Sequence, residues 1–117
     1  MNKESTRYAS SIQEKRIADK FNGKISSNSG AAKFSCGDVI LSDVGLLIEC
    51  KTCLSDKKSF SIKKEWLDKS ANELFASRCN SNVIAFNFNY EDKKDYYVIN
   101  DKLMKFLIEK LREENDS

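Results

Sequence analysis

Two acidic residues and one lysine fall on a predicted pair of neighbouring strands. Asp38 opens the first strand, and Glu49 and Lys51 lie at the end of the second. Glu49 and Lys51 are two residues apart, so their side chains share one face of a strand. They follow Leu46-Leu47-Ile48, an apolar run typical of a buried strand. A buried carboxylate or ammonium is costly unless it is paired or bound to a metal ion, so this cluster needs a partner.

The chemistry of the cluster suits a hard divalent cation. Mg²⁺ prefers one or two carboxylates together with water and phosphate oxygens. Such an ion activates a water molecule and stabilises charge on a phosphodiester under attack. Lys51 can hold the attacking water or offset the developing negative charge. These residue types therefore indicate metal-dependent phosphodiester hydrolysis.

The tripeptide of an acidic residue, any residue and lysine is weak support on its own. It starts at four positions, which are Glu49, Asp56, Glu91 and Asp92. Only the copy at Glu49 follows an apolar strand and has an aspartate upstream at hairpin distance. The alternative is an amphipathic edge strand with a surface ion pair worth less than about 1 kcal/mol. The spacing alone leaves both interpretations open.

The elements that must position the cluster form a pattern typical of a small layered domain. The first helix is predicted from Ser5 to Phe21, ending at Asn22-Gly23, with Glu14 on its apolar face. A carboxylate on an inward face is unusual and needs a reason. Strands are predicted at 24–27, 38–41, 46–51, 83–88 and 95–99, with a helix at 62–78 and a last helix N-capped by Asp101. The predicted order is α-β-β-β-α-β-β-α.

Length and composition place further bounds on the chain. Its 117 residues, 40% hydrophobic and 32% charged, predict one domain over residues 1–117. There is no His, which excludes His-based catalysis and most zinc sites. The sequence contains no run of about 18 apolar residues, so no membrane span is predicted. The polar N-terminus does not resemble a secretory signal. We therefore expect a cytoplasmic protein without membrane contact.

Four cysteines are present, and Cys50 and Cys53 form a C-x-x-C. This spacing is found in zinc and redox sites, but no second pair accompanies it. Positions three apart on a strand point to opposite faces. We therefore predict that these cysteines serve as small, buried hydrophobic side chains. We expect the chain to bind no zinc ion and no nucleotide cofactor.

The segment around the cluster resembles the signature of the PD-(D/E)xK nuclease superfamily. More closely, residues 11–88 are similar to archaeal-type Holliday junction resolvases and their phage relatives. The matching features, in the family's order, are Glu14 on a first helix, the loop Ser27-Asn28-Ser29-Gly30, Gly37-Asp38-Val39-Ile40, Glu49-Cys50-Lys51-Thr52, the aromatic Phe60, and Phe86-Asn87-Phe88. The chain departs from the family in a short spacer between Asp38 and Glu49, and in having Lys24 and Ser26 where an arginine is usual.

The resemblance implies a restriction-endonuclease-like fold. This is an α/β (α+β) domain with a central mixed sheet of about five strands flanked by helices. The resemblance also implies that Asp38, Glu49 and Glu14 bind Mg²⁺, which Mn²⁺ can replace, and that Lys51 is the catalytic lysine. The alternative for Glu14 is a glutamate at the edge of the surface on a frayed helix.

DNA contacts are expected on the basic part of the chain. Residues 1–70 hold 13 Lys and Arg against 9 Asp and Glu, a net charge of +4. The resemblance places Ser27 and Ser29 on a loop near the scissile phosphate, with Ser29 in the catalytic set. The expected DNA-binding residues are Ser27, Ser29, Lys24, Lys33, Lys57, Lys58, Lys63 and Lys64. Turn-forming serines and a solvated helix face are the alternatives.

The function implied is an endodeoxyribonuclease that cleaves branched DNA, in particular four-way junctions, in recombination and repair. A two-fold symmetric junction suits a C2 homodimer. The apolar stripe of the last helix is expected to pack on the sheet, with Phe106 widening it enough to serve a dimer. The alternatives are a phage or mobile-element nuclease acting on nicks, flaps, single strands or duplex, and a non-catalytic nucleic-acid-binding module.

Overall fold

The predicted order of elements is confirmed, with one extra short helix. A computed structural model describes residues 3–26 and 38–116. Its helices are α1 (Lys3–Phe21), α2 (Lys64–Asn72), α3 (Leu74–Ser77) and α4 (Asp101–Asp116). Its strands are β1 (Lys24–Ile25), β2 (Val39–Leu41), β3 (Leu46–Lys51), β4 (Ser81–Phe86) and β5 (Tyr96–Val98). The expected α+β class with a five-stranded mixed sheet is confirmed.

The sheet has the spatial order β1-β2-β3-β4-β5. Among the described strands only β3 and β4 are parallel, and α2 and α3 form the crossover between them. The β2–β3 hairpin turns at Gly45, whose φ of +67° glycine adopts without strain. In this hairpin Val39 pairs with Ile48. The hairpin thus sets the register of the predicted acidic residues.

The two faces of the sheet have different roles. Helix α1 packs on one face, where the core cluster is made of Ile17, Ala18, Val39, Leu41, Ile48, Cys50, Val83 and Ala85. Because strand side chains alternate, Leu47, Glu49 and Lys51 point to the opposite face. Helix α2 lies on that face, where Asn82 Nδ2 donates a hydrogen bond to the Leu67 carbonyl at 3.3 Å. The predicted cluster therefore lies between β3 and α2.

A polar network joins α1 to the ends of β3 and β4. Gln13 Nε2 donates to the Lys51 carbonyl at 2.9 Å and contacts the Ala85 carbonyl at 3.4 Å. Arg16 donates two hydrogen bonds to the Asp95 carboxylate, at 2.8 and 2.6 Å, and the Asp95 side chain is fully buried. These bonds fix the backbone at Lys51 from the side opposite to its ammonium.

Two sequence predictions about the helices are wrong. The predicted helix at 62–78 is broken at Glu73, which ends α2 and begins α3. The last helix is capped by Asn100 rather than Asp101, since Asn100 Oδ1 accepts a hydrogen bond from Leu103 N at 2.9 Å. Both residue types are good N-caps, so the sequence did not distinguish them.

The expectation that α4 packs along the sheet is also wrong. Leu103, in its first turn, packs against the core. Beyond it, Met104, Leu107 and Leu111 are 50%, 42% and 64% exposed. The apolar stripe is therefore left largely uncovered. No helix among the described residues is long and apolar enough to cross a lipid bilayer.

Candidate active site

Asp38 and Glu49 are neighbours across the β2–β3 hairpin. Continuing the register in which Val39 pairs with Ile48 places Asp38 opposite Glu49. The backbone at Asp38 is held by a 2.7 Å hydrogen bond that Ser26 N donates to its carbonyl. Both residues are buried, at 9% and 7% exposure. The predicted proximity of these two carboxylates is confirmed.

Burial shifts the titration of both acids. It raises the pKa of Asp38 to about 7, with further increases from the carboxylates of Glu73 and Glu49. It also raises the pKa of Glu49, an effect that the charges of Lys51 and Lys69 oppose. Both acids therefore hold their protons more tightly than carboxyl groups in water. A cation bound between them would offset this repulsion and desolvation.

One oxygen of Glu49 has no partner in the described part of the chain. Glu49 Oε2 is buried and accepts no hydrogen bond from any described residue. A buried acceptor without a partner costs about 1–3 kcal/mol, and more when it is charged. A divalent cation on this oxygen would remove that cost. The residues present thus fit a metal ion, for which two carboxylates and water suffice.

Helix α2 and its C-terminal end add two charged residues, Lys69 and Glu73, that the sequence did not place beside the two acids. Glu73 lies within hydrogen-bonding reach of Asp38, and the charge of Lys69 acts on both Asp38 and Glu49. Trp66, Lys69 and Glu73 recur every three or four residues, so they share one helix face. This spacing is readable in the sequence. The strand residues that this helix face contacts depend on how the crossover returns across the sheet. No local sequence pattern specifies that path.

Lys51 extends from the same face as Glu49 and meets α2. Its Nζ lies 4.4 Å from the centre of the Trp66 ring. Trp66 packs beside Phe60, with ring centres 6.1 Å apart, and Phe60 packs on Phe86 at 5.1 Å. These aromatic residues are half-buried, as expected for a packing role. The contact between Trp66 and Lys51 was not expected.

Glu14 is buried as predicted, but it is not brought together with the other two acids. It is 6% exposed, and burial raises its pKa to about 7. Its helix packs on the face of the sheet opposite to Glu49. Among residues 3–26 and 38–116, no three Asp, Glu, Cys or His side chains are grouped closely enough to hold a metal ion. The role of Glu14 as a metal ligand stays a prediction.

The remaining predicted contacts are spread over the surface. Lys24, Lys57, Lys58, Lys63 and Lys64 are all exposed. Lys64 pairs with Asp68 at 2.8 Å, and Lys63 Nζ lies 5.8 Å from the Trp66 ring centre. The predictions for Ser27, Ser29 and Lys33 lie outside the described residues.

The two cysteines of the C-x-x-C have different surroundings. Cys50 belongs to the core cluster against α1. Cys53 is half-buried beyond the end of β3, with Sγ 3.5 Å from the Asn87 carbonyl. Between them, Thr52 Oγ1 donates to Asn87 Oδ1 at 2.6 Å. The segment that follows Lys51 is therefore fixed by packing and hydrogen bonds to the end of β4.

Comparison with protein-family models, with curated proteins and with solved structures gave no match. A function for this chain has to be inferred from the residues of its site.

Proposed function

We propose that this chain is a metal-dependent endodeoxyribonuclease with a restriction-endonuclease-like fold, and that branched DNA is its substrate. One observation carries the proposal. Asp38 and Glu49 are buried side by side, Glu49 Oε2 has no partner among the described residues, and Lys51 points to the same face. Two buried acids destabilise a fold that has no ligand for them, which favours a functional reason for the pair.

Asp38 and Glu49 are the residues that would hold Mg²⁺ or Mn²⁺. The ion, when bound, would supply activation of water and stabilisation of charge on the phosphate. Both acids must lose their protons to bind it. Because the pKa of Asp38 is raised to about 7 and that of Glu49 is also raised, metal binding should weaken as the pH falls below about 7. Glu14 and Ser29 stay the predicted further members of the site, although Glu14 is not grouped with the two acids among the described residues and Ser29 lies outside them.

The lysines at the site act on the phosphate. The ammonium of Lys51 would donate to a phosphate oxygen or hold the attacking water, which offsets the negative charge that develops. Lys69 stands beside the same carboxylates and lowers the pKa of both. It would partly offset the effect of burial, which makes the acids easier to ionise when the cation binds.

The exposed lysines would contact the DNA backbone. Lys57 and Lys58 follow β3, and Lys63 and Lys64 lie at the start of α2, and these are the two elements that carry Lys51 and Lys69. Phosphate contacts of this kind release counterions and make binding weaker as salt rises. We therefore expect DNA affinity to fall steeply between low and physiological ionic strength.

A homodimer would present two active sites to a two-fold symmetric junction. The exposed face of α4 is proposed to bind the same face of a second copy. Residues 101–108 carry a net charge of +1 and residues 109–116 a net charge of −2. When two α4 helices pair in antiparallel orientation, the positive half of each helix lies beside the negative half of the other. It also covers Met104, Leu107 and Leu111.

The substrate is tested with end-labelled synthetic DNAs. A four-way junction, a flap, a nicked duplex, a plain duplex and a single strand are incubated with protein in Mg²⁺ or in chelator. Paired symmetric cuts confined to the junction are expected, only with metal. Metal-dependent cutting of all five would support the nuclease but contradict junction preference.

A non-catalytic DNA-binding module is the second candidate. The exposed side chains of Lys57, Lys58, Lys63 and Lys64 would serve it equally well, because contacts with phosphate need no metal ion. Such a module would bind DNA equally well in Mg²⁺ and in chelator, and it would cut none of the substrates.

A further inference from the structure

We propose that Trp66 is a positioning residue for Lys51, holding the ammonium over its indole ring and away from the Glu49 carboxylate. The catalytic consequence rests on the proposed nuclease function. The contact itself does not, and it is tested separately below.

The geometry of the contact is close. Lys51 Nζ is 4.4 Å from the ring centre, well inside the range of about 6 Å for attraction between a cation and an aromatic face. Indole is the strongest aromatic partner for a cation. Lys51 is half-buried, so water competes less for its charge than at an exposed site. Lys63, which also approaches the ring, is exposed and lies farther away, at 5.8 Å.

The indole is itself held in place. Phe60 packs beside Trp66, and Phe86 packs beside Phe60 at 5.1 Å with the rings 31° from parallel. Phe86 is the β4 partner of Lys51 in the parallel register. The three rings therefore form a row from Trp66, which contacts the Lys51 ammonium, to Phe86, which is the strand partner of Lys51. This row holds the indole against β3, the strand that carries the lysine.

This arrangement keeps apart two groups that would otherwise combine. Glu49 and Lys51 share a face, yet among the described ion pairs none joins them. Without the indole, Lys51 would be free to pair with Glu49 Oε2, the oxygen that lacks a partner. That pairing would occupy both the proposed metal ligand and the catalytic cation. Trp66 thus leaves the oxygen open for a metal ion and the ammonium open for a phosphate.

The contact is tested by fluorescence, because Trp66 is the chain's one tryptophan. The emission of wild type is compared with that of Lys51→Met and of a matched control, Lys63→Met, each checked for native unfolding behaviour. A clear shift in the emission maximum is expected for Lys51→Met, with a much smaller one for Lys63→Met. Equal shifts, or no shift in Lys51→Met, would overturn the inference whether or not the protein cleaves DNA.

The catalytic role is tested with Trp66→Leu and Trp66→Phe on Mg²⁺-dependent cleavage of a four-way junction. Loss of the cation contact in Trp66→Leu should lower kcat about tenfold with little change in KM for DNA. It should also raise the Mg²⁺ concentration at which cleavage is half-maximal. Trp66→Phe should recover most of the activity. Equal loss in both variants would contradict positioning by the ring face. Absence of cleavage by wild type would refute the nuclease function and this catalytic role, while the fluorescence result would still decide the contact.

Discussion

The carboxyl group of Glu73 lies within hydrogen-bonding reach of Asp38, at the break between α2 and α3. The acid from the hairpin and the acid from the crossover therefore meet on the face of the sheet opposite to α1. A negative charge this close favours the protonated form of Asp38. The end of α2 thus adds to burial in raising the pKa of Asp38, a proposed metal ligand.

Replacing Glu73 with Gln should lower the pKa of Asp38. That pKa is about 7, and the change removes the negative charge that ranks next to burial among its causes. The test is a pH titration of the Asp38 carboxyl carbon by NMR in metal-free protein. Glu65→Gln, on the same helix and exposed, is the matched control and should leave the titration unchanged. An unshifted pKa in Glu73→Gln would show that the two acids are not coupled.

Burial of Glu14 should make the metal-free protein less stable as the pH rises. Its pKa is about 7 in the folded protein against an ordinary value of 4.5. Below pH 4.5 it is protonated in both states and has no effect. Between the two values the unfolded chain ionises first, so the free energy of unfolding falls, by roughly 3 kcal/mol at most above pH 7.

Glu14→Gln should flatten this dependence and raise stability above pH 7. Asp38 and Glu49 contribute with the same sign, so the slope is reduced rather than abolished. Urea unfolding at several pH values measures the effect. An unchanged slope would mean that Glu14 ionises in the folded protein as it does in water.

Local patterns predicted the elements but not all of their contacts. The apolar run at the start of β3 and the glycine turn before it were enough to place Asp38 and Glu49 together, because a hairpin fixes its own register. The contacts of Lys51 and Asp38 with α2 were missed, since they depend on how the crossover returns across the sheet. The apolar stripe on α4 was read as core, because periodicity shows that a face is apolar and not what covers it.

Removing the buried carboxylate of Asp95 should be strongly destabilising. It accepts two hydrogen bonds from Arg16, which is 17% exposed, and one from Asn87 Nδ2 at 3.2 Å. Asp95→Ala should cost about 3–5 kcal/mol in the free energy of unfolding, because the largely buried guanidinium loses the carboxylate that balances its charge. Asp19→Ala, which breaks an exposed pair with Lys15, should cost less than about 1 kcal/mol. Similar costs for the two variants would contradict a central role for the network.

Placing a charge on the apolar face of α4 should separate the proposed dimer. Leu107→Glu buries a carboxylate in the middle of the interface if two copies meet there. Analytical ultracentrifugation of wild type should give the mass of a dimer, and Leu107→Glu that of a monomer. Glu109→Gln, on the opposite side of the helix, should leave the dimer intact. A monomeric wild type would exclude α4 as a contact between copies.

Mg²⁺-dependent cleavage of a four-way junction by wild type and by Glu49→Gln tests the central claim most directly. Gln keeps the size of the side chain and removes the negative charge that a cation needs. With Glu109→Gln as an exposed control, cleavage should fall by at least about a hundredfold in Glu49→Gln alone, as for loss of a group that holds charge in the transition state. Cleavage at the wild-type rate by Glu49→Gln, or none by wild type in Mg²⁺ or Mn²⁺, would contradict the proposed active site.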